Sequence, residues 1–145
     1  MRLDRCLGLV VGLAAAALAG ATSSMAQPAP AEIDVELNKL EPVDNACRIY
    51  LVLQNHTADS YDKLALELVS FGPDGLVGQR LAIDVAPLRA GKTTVKLFDL
   101  PRTNCGQVAR LLVNDVSTCS AQGAAIENCL DRLKVSTRAA AELFK

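Results

Sequence analysis

The residues of this sequence best suited to chemistry are its five cysteines and its single histidine. Cys6 lies in an apolar N-terminal segment, and Cys47, Cys105, Cys119 and Cys129 are spread over the rest of the chain. Thiol-disulfide enzymes usually carry a Cys-x-x-Cys pair, whose geometry lowers the thiolate pKa, and none of these cysteines is so close to another. The spacing therefore favours structural disulfides. The alternative is a redox-active or redox-sensing pair of Cys119 and Cys129, because a bridge over a short exposed loop is easier to reduce.

The even number of cysteines beyond the N-terminal segment predicts two disulfides. Four cysteines permit three pairings, and the sequence alone does not choose among them. We favour Cys47–Cys105 with Cys119–Cys129, because the second pair closes a short loop and the first ties an early strand to a late connection. In the chain-entropy model the two closures contribute roughly 4 and roughly 2.7 kcal/mol, against a typical domain stability of about 5–15 kcal/mol.

His56 lies between Asn55 and Thr57 in a polar segment. A zinc site needs three or four nitrogen or sulfur ligands, and one histidine beside oxidised cysteines does not supply them. A copper carrier rich in thioethers is excluded as well, because the only methionines are Met1 and Met25. We therefore expect His56 to be an exposed loop residue, and we predict no catalytic motif, no metal site and no cofactor.

Five other residues are candidates for contact with a partner. Tyr50, Tyr61 and Arg80 are chosen because tyrosine and arginine are enriched among the residues that dominate binding energy. Asn114 and Asp115 interrupt an otherwise apolar run, where a carboxylate and an amide must find hydrogen-bond partners or face solvent. We expect them to support a turn or an edge, or to form part of a polar binding rim.

The first 26 residues predict where the protein works. Arg2 and Arg5 precede the continuous apolar run Leu7–Ala19, and Ser24 and Ala26 are small residues at the −3 and −1 positions of a cleavage site. The run is too short to span a bilayer, and no second one follows it. This pattern is typical of a signal peptide cleaved near Ala26, so we expect a periplasmic or secreted protein without a membrane span in its mature chain.

Composition sets the remaining limits on organisation and partners. Residues 27–31 predict a flexible Pro/Ala spacer, residues 32–138 one domain and residues 139–145 a tail. The chain carries 15 basic and 16 acidic residues, with a formal net charge of −1. That balance argues against nucleic acid as a partner.

Alternation of apolar and polar residues predicts a series of short strands after the spacer. The segment 41–45 ends the first strand, and in the fifth strand Thr93, Val95 and Leu97 share one face. The predicted strands centre on residues 33–38, 47–54, 64–71, 81–85, 93–98, 108–116 and 133–137.

Lys63–Leu68 has the propensity of a helix as well as the alternation of a strand. The sequence Gly72–Gly75 favours the strand, because Pro-Asp-Gly between two apolar runs is typical of a turn. Residues 117–129 are interpreted as an irregular excursion with one helical turn, and the Ala-rich residues 138–145 as a frayed helix. Seven strands in about 110 residues predict an all-β, immunoglobulin-like sandwich with a short irregular or helical C-terminal segment.

From Asn55 to Phe98 the chain has an alternating strand over Leu64–Phe71 and turns at Asp74–Val77 and Pro87–Lys92. This pattern resembles the FxLYD-type extracytoplasmic domain, an immunoglobulin-like module of bacterial exported proteins. The cysteines depart from that family and are similar to those of small exported alphaproteobacterial proteins of uncharacterised function. The resemblance implies the fold and export, and it supplies no functional residues.

The expected function is therefore that of an exported, non-enzymatic binding or structural module of the cell envelope. Its partner is expected to be another envelope protein or a cell-envelope component, bound through a sheet face, an edge strand or the end loops. The alternative function is a periplasmic thiol-disulfide or redox-sensing protein that uses Cys119 and Cys129.

Overall fold

A computed structural model describes residues 32–145. The predicted signal peptide, its cleavage near Ala26, the spacer at 27–31 and Cys6 lie outside the described residues. Two short 3₁₀ turns, Cys105–Gln107 and Cys129–Arg132, accompany nine strands in that part of the chain. The strands are β1 (Ile33–Val43), β2 (Ala46–Asn55), β3 (Tyr61–Phe71), β4 (Val77–Asp84), β5 (Thr93–Pro101), β6 (Arg110–Ala121), β7 (Ala124–Ala125), β8 (Leu133–Thr137) and β9 (Glu142–Phe144).

The strands form two sheets that pack against each other. Sheet A has the order β5-β2-β1-β8, in which β8 is parallel to β1 and the other pairs are antiparallel. Sheet B has the order β4-β3-β6, and both β7 and the parallel strand β9 pair with β6. Seven of the strands in residues 32–145 have five residues or more. The prediction of an all-β sandwich is confirmed.

The core is built from residues of period two on the central strands. Every second side chain of β2 and β3 is fully buried, so the two sheets face each other through these rows. Each such aliphatic side chain contributes about 1.5–3 kcal/mol by its removal from water, which explains why Lys63–Leu68 forms a strand rather than a helix. The rows are Cys47, Ile49, Leu51 and Leu53 on β2 and Leu64, Leu66 and Leu68 on β3.

Several strands are longer than the sequence predicted, most of all β1 and β6. β1 does not end at Glu41 but continues to Val43 and turns at Asp44, whose φ is 37°. β8 pairs with β1 only as far as Leu37, so Pro42 lies where one side of the strand has no neighbour in residues 32–145 and a missing N–H is tolerated. β6 likewise runs through the predicted irregular region to Ala121, because β3 pairs with it along that whole length.

The C-terminal residues contain a strand where the sequence predicted a frayed helix. β9 pairs with the start of β6, and Leu143 is buried in the core. The Phe144 ring lies 5.9 Å from that of Phe71, and the Arg110 guanidinium lies 4.0 Å above the Phe144 ring. These tertiary contacts outweigh the helix propensity of the alanines, so the sandwich includes residues that the sequence assigned to the tail.

Candidate binding groove and its disulfide

Both disulfides are present, and they join the cysteines in the pairing that the sequence favoured. Cys47–Cys105 closes a separation of 58 residues and links β2 to the turn between β5 and β6. Cys119–Cys129 closes a separation of 10 residues and links β6 to the Cys129–Arg132 turn. The second bridge lies in the wall of an open groove.

The groove runs beside β6, where one edge of that strand is left without a neighbour. β9 pairs with β6 at Arg110–Leu112, and β7 pairs with it at Ser120–Ala121, on the edge away from β3. Between them, within the described part of the chain, the edge at 113–119 has no strand beside it. A cavity of about 780 Å³ opens there, lined by the second disulfide and the half-buried side chains Val116, Ile126 and Leu130.

The charged side chains of the groove are mostly acidic. Asp62, Asp115 and Asp131 line it, against the single cation Lys63. Ser120 donates a hydrogen bond to Asp62 at 2.9 Å, which lowers the pKa of that carboxyl. In residues 32–145 no cluster of His, Cys, Asp and Glu is arranged to hold a metal ion.

The wall that carries Cys129 is held to the sandwich by a second tie. Arg132 donates from Nη1 to both carboxylate oxygens of Glu32 at 2.7 Å, and the Tyr61 hydroxyl donates to Glu32 at 2.8 Å. The hydrogen bond from Arg132 lowers the pKa of Glu32. Burial is the main cause that raises the pKa of Tyr61 to about 12, and the hydrogen bond to Glu32 is the second. Tyr61 is 1% exposed, so it has no free surface for the partner contact that the sequence suggested.

Tyr50 lies on the outer face of sheet A, away from the groove. Tyr50 of β2 lies opposite Leu97 of β5, and the next pair on the same face is Val52 with Val95. Val95 and Leu97 are 53% and 50% exposed, so the face of β5 that carries them points to solvent. The Tyr50 hydroxyl donates to Glu41, which raises the pKa of the tyrosine.

The remaining candidates lie on sheet B. Arg80 pairs with Glu67 on the outer face, and Glu67 lies opposite Asp115 of β6. Asn114 is exposed at a bulge of β6, and Asp115 lines the groove. The structure thus brings Arg80 and Asp115 to one face and places Tyr50 on the opposite sheet, so the five candidates do not form a single surface.

Asn55 organises a loop and was not among the candidate site residues. Its amide Nδ2 donates to the carbonyl of Asp59 at 2.8 Å and to those of Leu88 and Arg89 at 3.3 Å. Its Oδ1 accepts hydrogen bonds from the backbone and the hydroxyl of Thr57. An asparagine at a strand end before a polar segment is the sequence signal for such a turn. The neighbouring His56 is exposed, and its Nε2 lies 2.9 Å from a carboxylate oxygen of Asp34 in β1.

The fold is similar to that of a known protein. A solved structure of IrmA from Escherichia coli matches with a TM-score of 0.55 and 14% sequence identity, over 71% of this chain and 89% of that one. At this identity the likeness concerns the fold alone. No protein-family model matches the chain, and no curated protein matches it either. No helix in residues 32–145 is long and apolar enough to cross a membrane.

Proposed function

We infer that this chain is an exported, non-enzymatic module that binds a protein of the cell envelope in the groove beside β6. The observation that carries the proposal is the open edge of β6 above an apolar floor, because such an edge offers both backbone groups and side-chain pockets to a partner. Export is supported by the signal peptide that the sequence predicts in the first 26 residues and by two disulfides, which persist in oxidising compartments.

The side chains of the groove favour binding over catalysis. A general acid or base works best with a pKa near the operating pH. The pKa of Asp62 is instead lowered by Ser120, so this carboxylate stays ionised at neutral pH. The sulfurs that line the groove are joined in a disulfide.

Site-specific photocrosslinking in the native cell tests this assignment. A photoreactive residue replaces Ala125, which is exposed in the groove, Leu97 on the outer face of sheet A, or Lys134 as an exposed control on β8. We expect one discrete adduct from position 125 and none from position 134. An adduct from position 97 alone would move the binding site to sheet A, and no adduct at any position would contradict protein binding.

One observation favours a second function, thiol-disulfide exchange. Cys119 is half-buried in the open groove, where a thiolate of a partner can attack the bridge. Attack on one sulfur forms a mixed disulfide and releases the other as a thiolate, and a second partner thiol then completes reduction of the bridge as the partner is oxidised.

Mass spectrometry of the exported protein, alkylated before unfolding, separates the two functions. A single species four hydrogens lighter than the reduced chain, and without alkylation, supports the binding module. A partly alkylated species or a mixed disulfide supports exchange.

A further inference from the structure

The unpaired stretch of β6 has the dimensions of a short binding site for one strand. Cys119 already accepts a backbone hydrogen bond from Ile126, so within residues 32–145 the stretch of this edge without a neighbouring strand is 113–118. Inside it the Val116 N–H donates to the Asp115 carboxylate at 2.7 Å. At about 3.4 Å per residue this stretch is roughly 20 Å long. β9 pairs with one end of β6 and β7 with the other, so an added segment would fill the gap between these two strands.

Two other outer strands, β5 and β4, lack this opening. Lys96 of β5 lies opposite the buried Leu51, and its Nζ donates to the carbonyl of Ala86 at 2.6 Å. An inward-pointing lysine on an edge strand is a known protection against added strands, because pairing would bury its charge. On β4 the side chain of Gln79 reaches across to the carbonyl of Pro101 at 2.7 Å.

The β6 edge is limited in length rather than blocked. Its register with β3 shifts on either side of Asp115 and Val116, which leaves Asn114 and Ser117 as extra residues in the strand. Bulges of this kind bend and twist a strand and prevent long, flat pairing. A short segment of about six residues is the partner that such an edge accepts.

The charge of the groove selects the chemistry of that segment. Three carboxylates and one ammonium line it, above the apolar side chains of Val116, Ile126 and Leu130. We propose that the groove takes an extended segment of a partner protein in which lysine or arginine alternates with apolar residues, and that this segment adds to β6 as a strand between β9 and β7. The proposal rests on the binding function inferred above and names its partner class.

Titration of ¹⁵N-labelled protein with three hexapeptides tests the proposal. The first alternates lysine and valine, the second replaces each lysine by glutamate, and the third is the lysine peptide N-methylated at every residue, which lacks backbone donors on both edges. We expect the lysine peptide to shift the amide signals of residues 113–118. The other two should bind about tenfold or more weakly, through lost charge complementarity and lost backbone hydrogen bonds.

Two matched variants test the charges. Asp115→Asn with Asp131→Asn should weaken binding of the lysine peptide about five- to tenfold and reduce its salt dependence. Asp34→Asn with Asp44→Asn makes the same charge change at the exposed Asp34–His56 pair and the β1–β2 turn, and should leave affinity unchanged.

Each contrary result has a distinct meaning. Equal binding of the N-methylated peptide would overturn strand addition, and equal binding of the glutamate peptide would overturn the choice of a cationic segment. A dimer in which a second copy covers residues 113–118 would overturn the choice of partner. If no peptide binds while position 125 still crosslinks in cells, this proposal fails and the binding function stands; if neither occurs, both fail.

Discussion

The two disulfides have similar exposure but hold different parts of the molecule. Each joins one buried cysteine, Cys47 or Cys129, to a half-buried one. Cys47 lies in β2, which has a neighbour on both sides, and its bridge crosses to the connection that leads into sheet B. Cys119–Cys129 stays beside β6 and closes the loop that carries β7.

The difference separates a bridge that secures the fold from a bridge that shapes a site. Cys47–Cys105 fixes a long-range connection between the two sheets, so the unfolded chain loses more freedom through it. Cys119–Cys129 positions a wall of the groove, which Arg132 also ties to Glu32. Loss of the first bridge should therefore affect the whole domain, and loss of the second should affect mainly the groove.

The largest effect is expected when Cys47 and Cys105 are both replaced by alanine. The free energy of unfolding should fall by roughly 4 kcal/mol, because the bridge spans 58 residues and its removal restores that loop freedom to the unfolded chain. Urea denaturation of the disulfide-bonded protein and of the variant measures this loss. The same measurement on the Cys119→Ala, Cys129→Ala variant is the control, and a smaller loss from the first variant would reverse the comparison.

Replacement of Cys119 and Cys129 by alanine should cost less and act locally. The expected loss of unfolding free energy is roughly 2.7 kcal/mol for a separation of 10 residues. Hydrogen exchange should accelerate most at residues 122–129, beyond the roughly 100-fold that a global loss of about 2.7 kcal/mol imposes on core amides of β1 and β2. Uniform acceleration across both sheets would show instead that this bridge also secures the whole fold.

The predictable parts of the structure are those that depend on residues close together in the sequence, such as alternating strands and turns. The buried rows of β2 and β3 alternate strictly, and Gly72–Gly75 carries its own turn chemistry, with Gly75 at a φ of 79°. The preferred disulfide pairing followed from loop length and from the even number of cysteines after the predicted signal peptide. For the strands and the turn, residues close together in the sequence hold the information.

The groove was not predictable because distant segments create it. Its open edge exists only because β9 and β7 cover the two ends of β6 and leave the middle free. Tyr50 and Tyr61 are the same residue type, yet Tyr61 is buried and its hydroxyl donates to Glu32, 29 residues away in the chain. No local pattern encodes those encounters.

The hydrogen bonds among Arg132, Glu32 and Tyr61, near the second disulfide, predict a smaller effect on the free energy of unfolding, at alkaline pH. The folded-state pKa of Tyr61 is raised to about 12, above an unfolded value of about 10. Below pH 10 both states keep the proton, so the contribution of Tyr61 to stability is fully present there. As pH rises from about 10 to about 12 the unfolded state loses its proton first, and stability falls with a slope of at most about 1.4 kcal/mol per pH unit.

A matched pair of variants isolates this slope from the titration of the lysines. Tyr61→Phe removes the buried hydroxyl, whereas Tyr50→Phe removes the one on the outer face of sheet A. The free energy of unfolding is measured by urea denaturation at intervals from pH 9 to pH 12. The loss between pH 10 and 12 should be shallower in Tyr61→Phe than in Tyr50→Phe, because burial opposes ionisation of Tyr61 most strongly. Equal slopes would mean that Tyr61 is no more protected from ionisation than Tyr50.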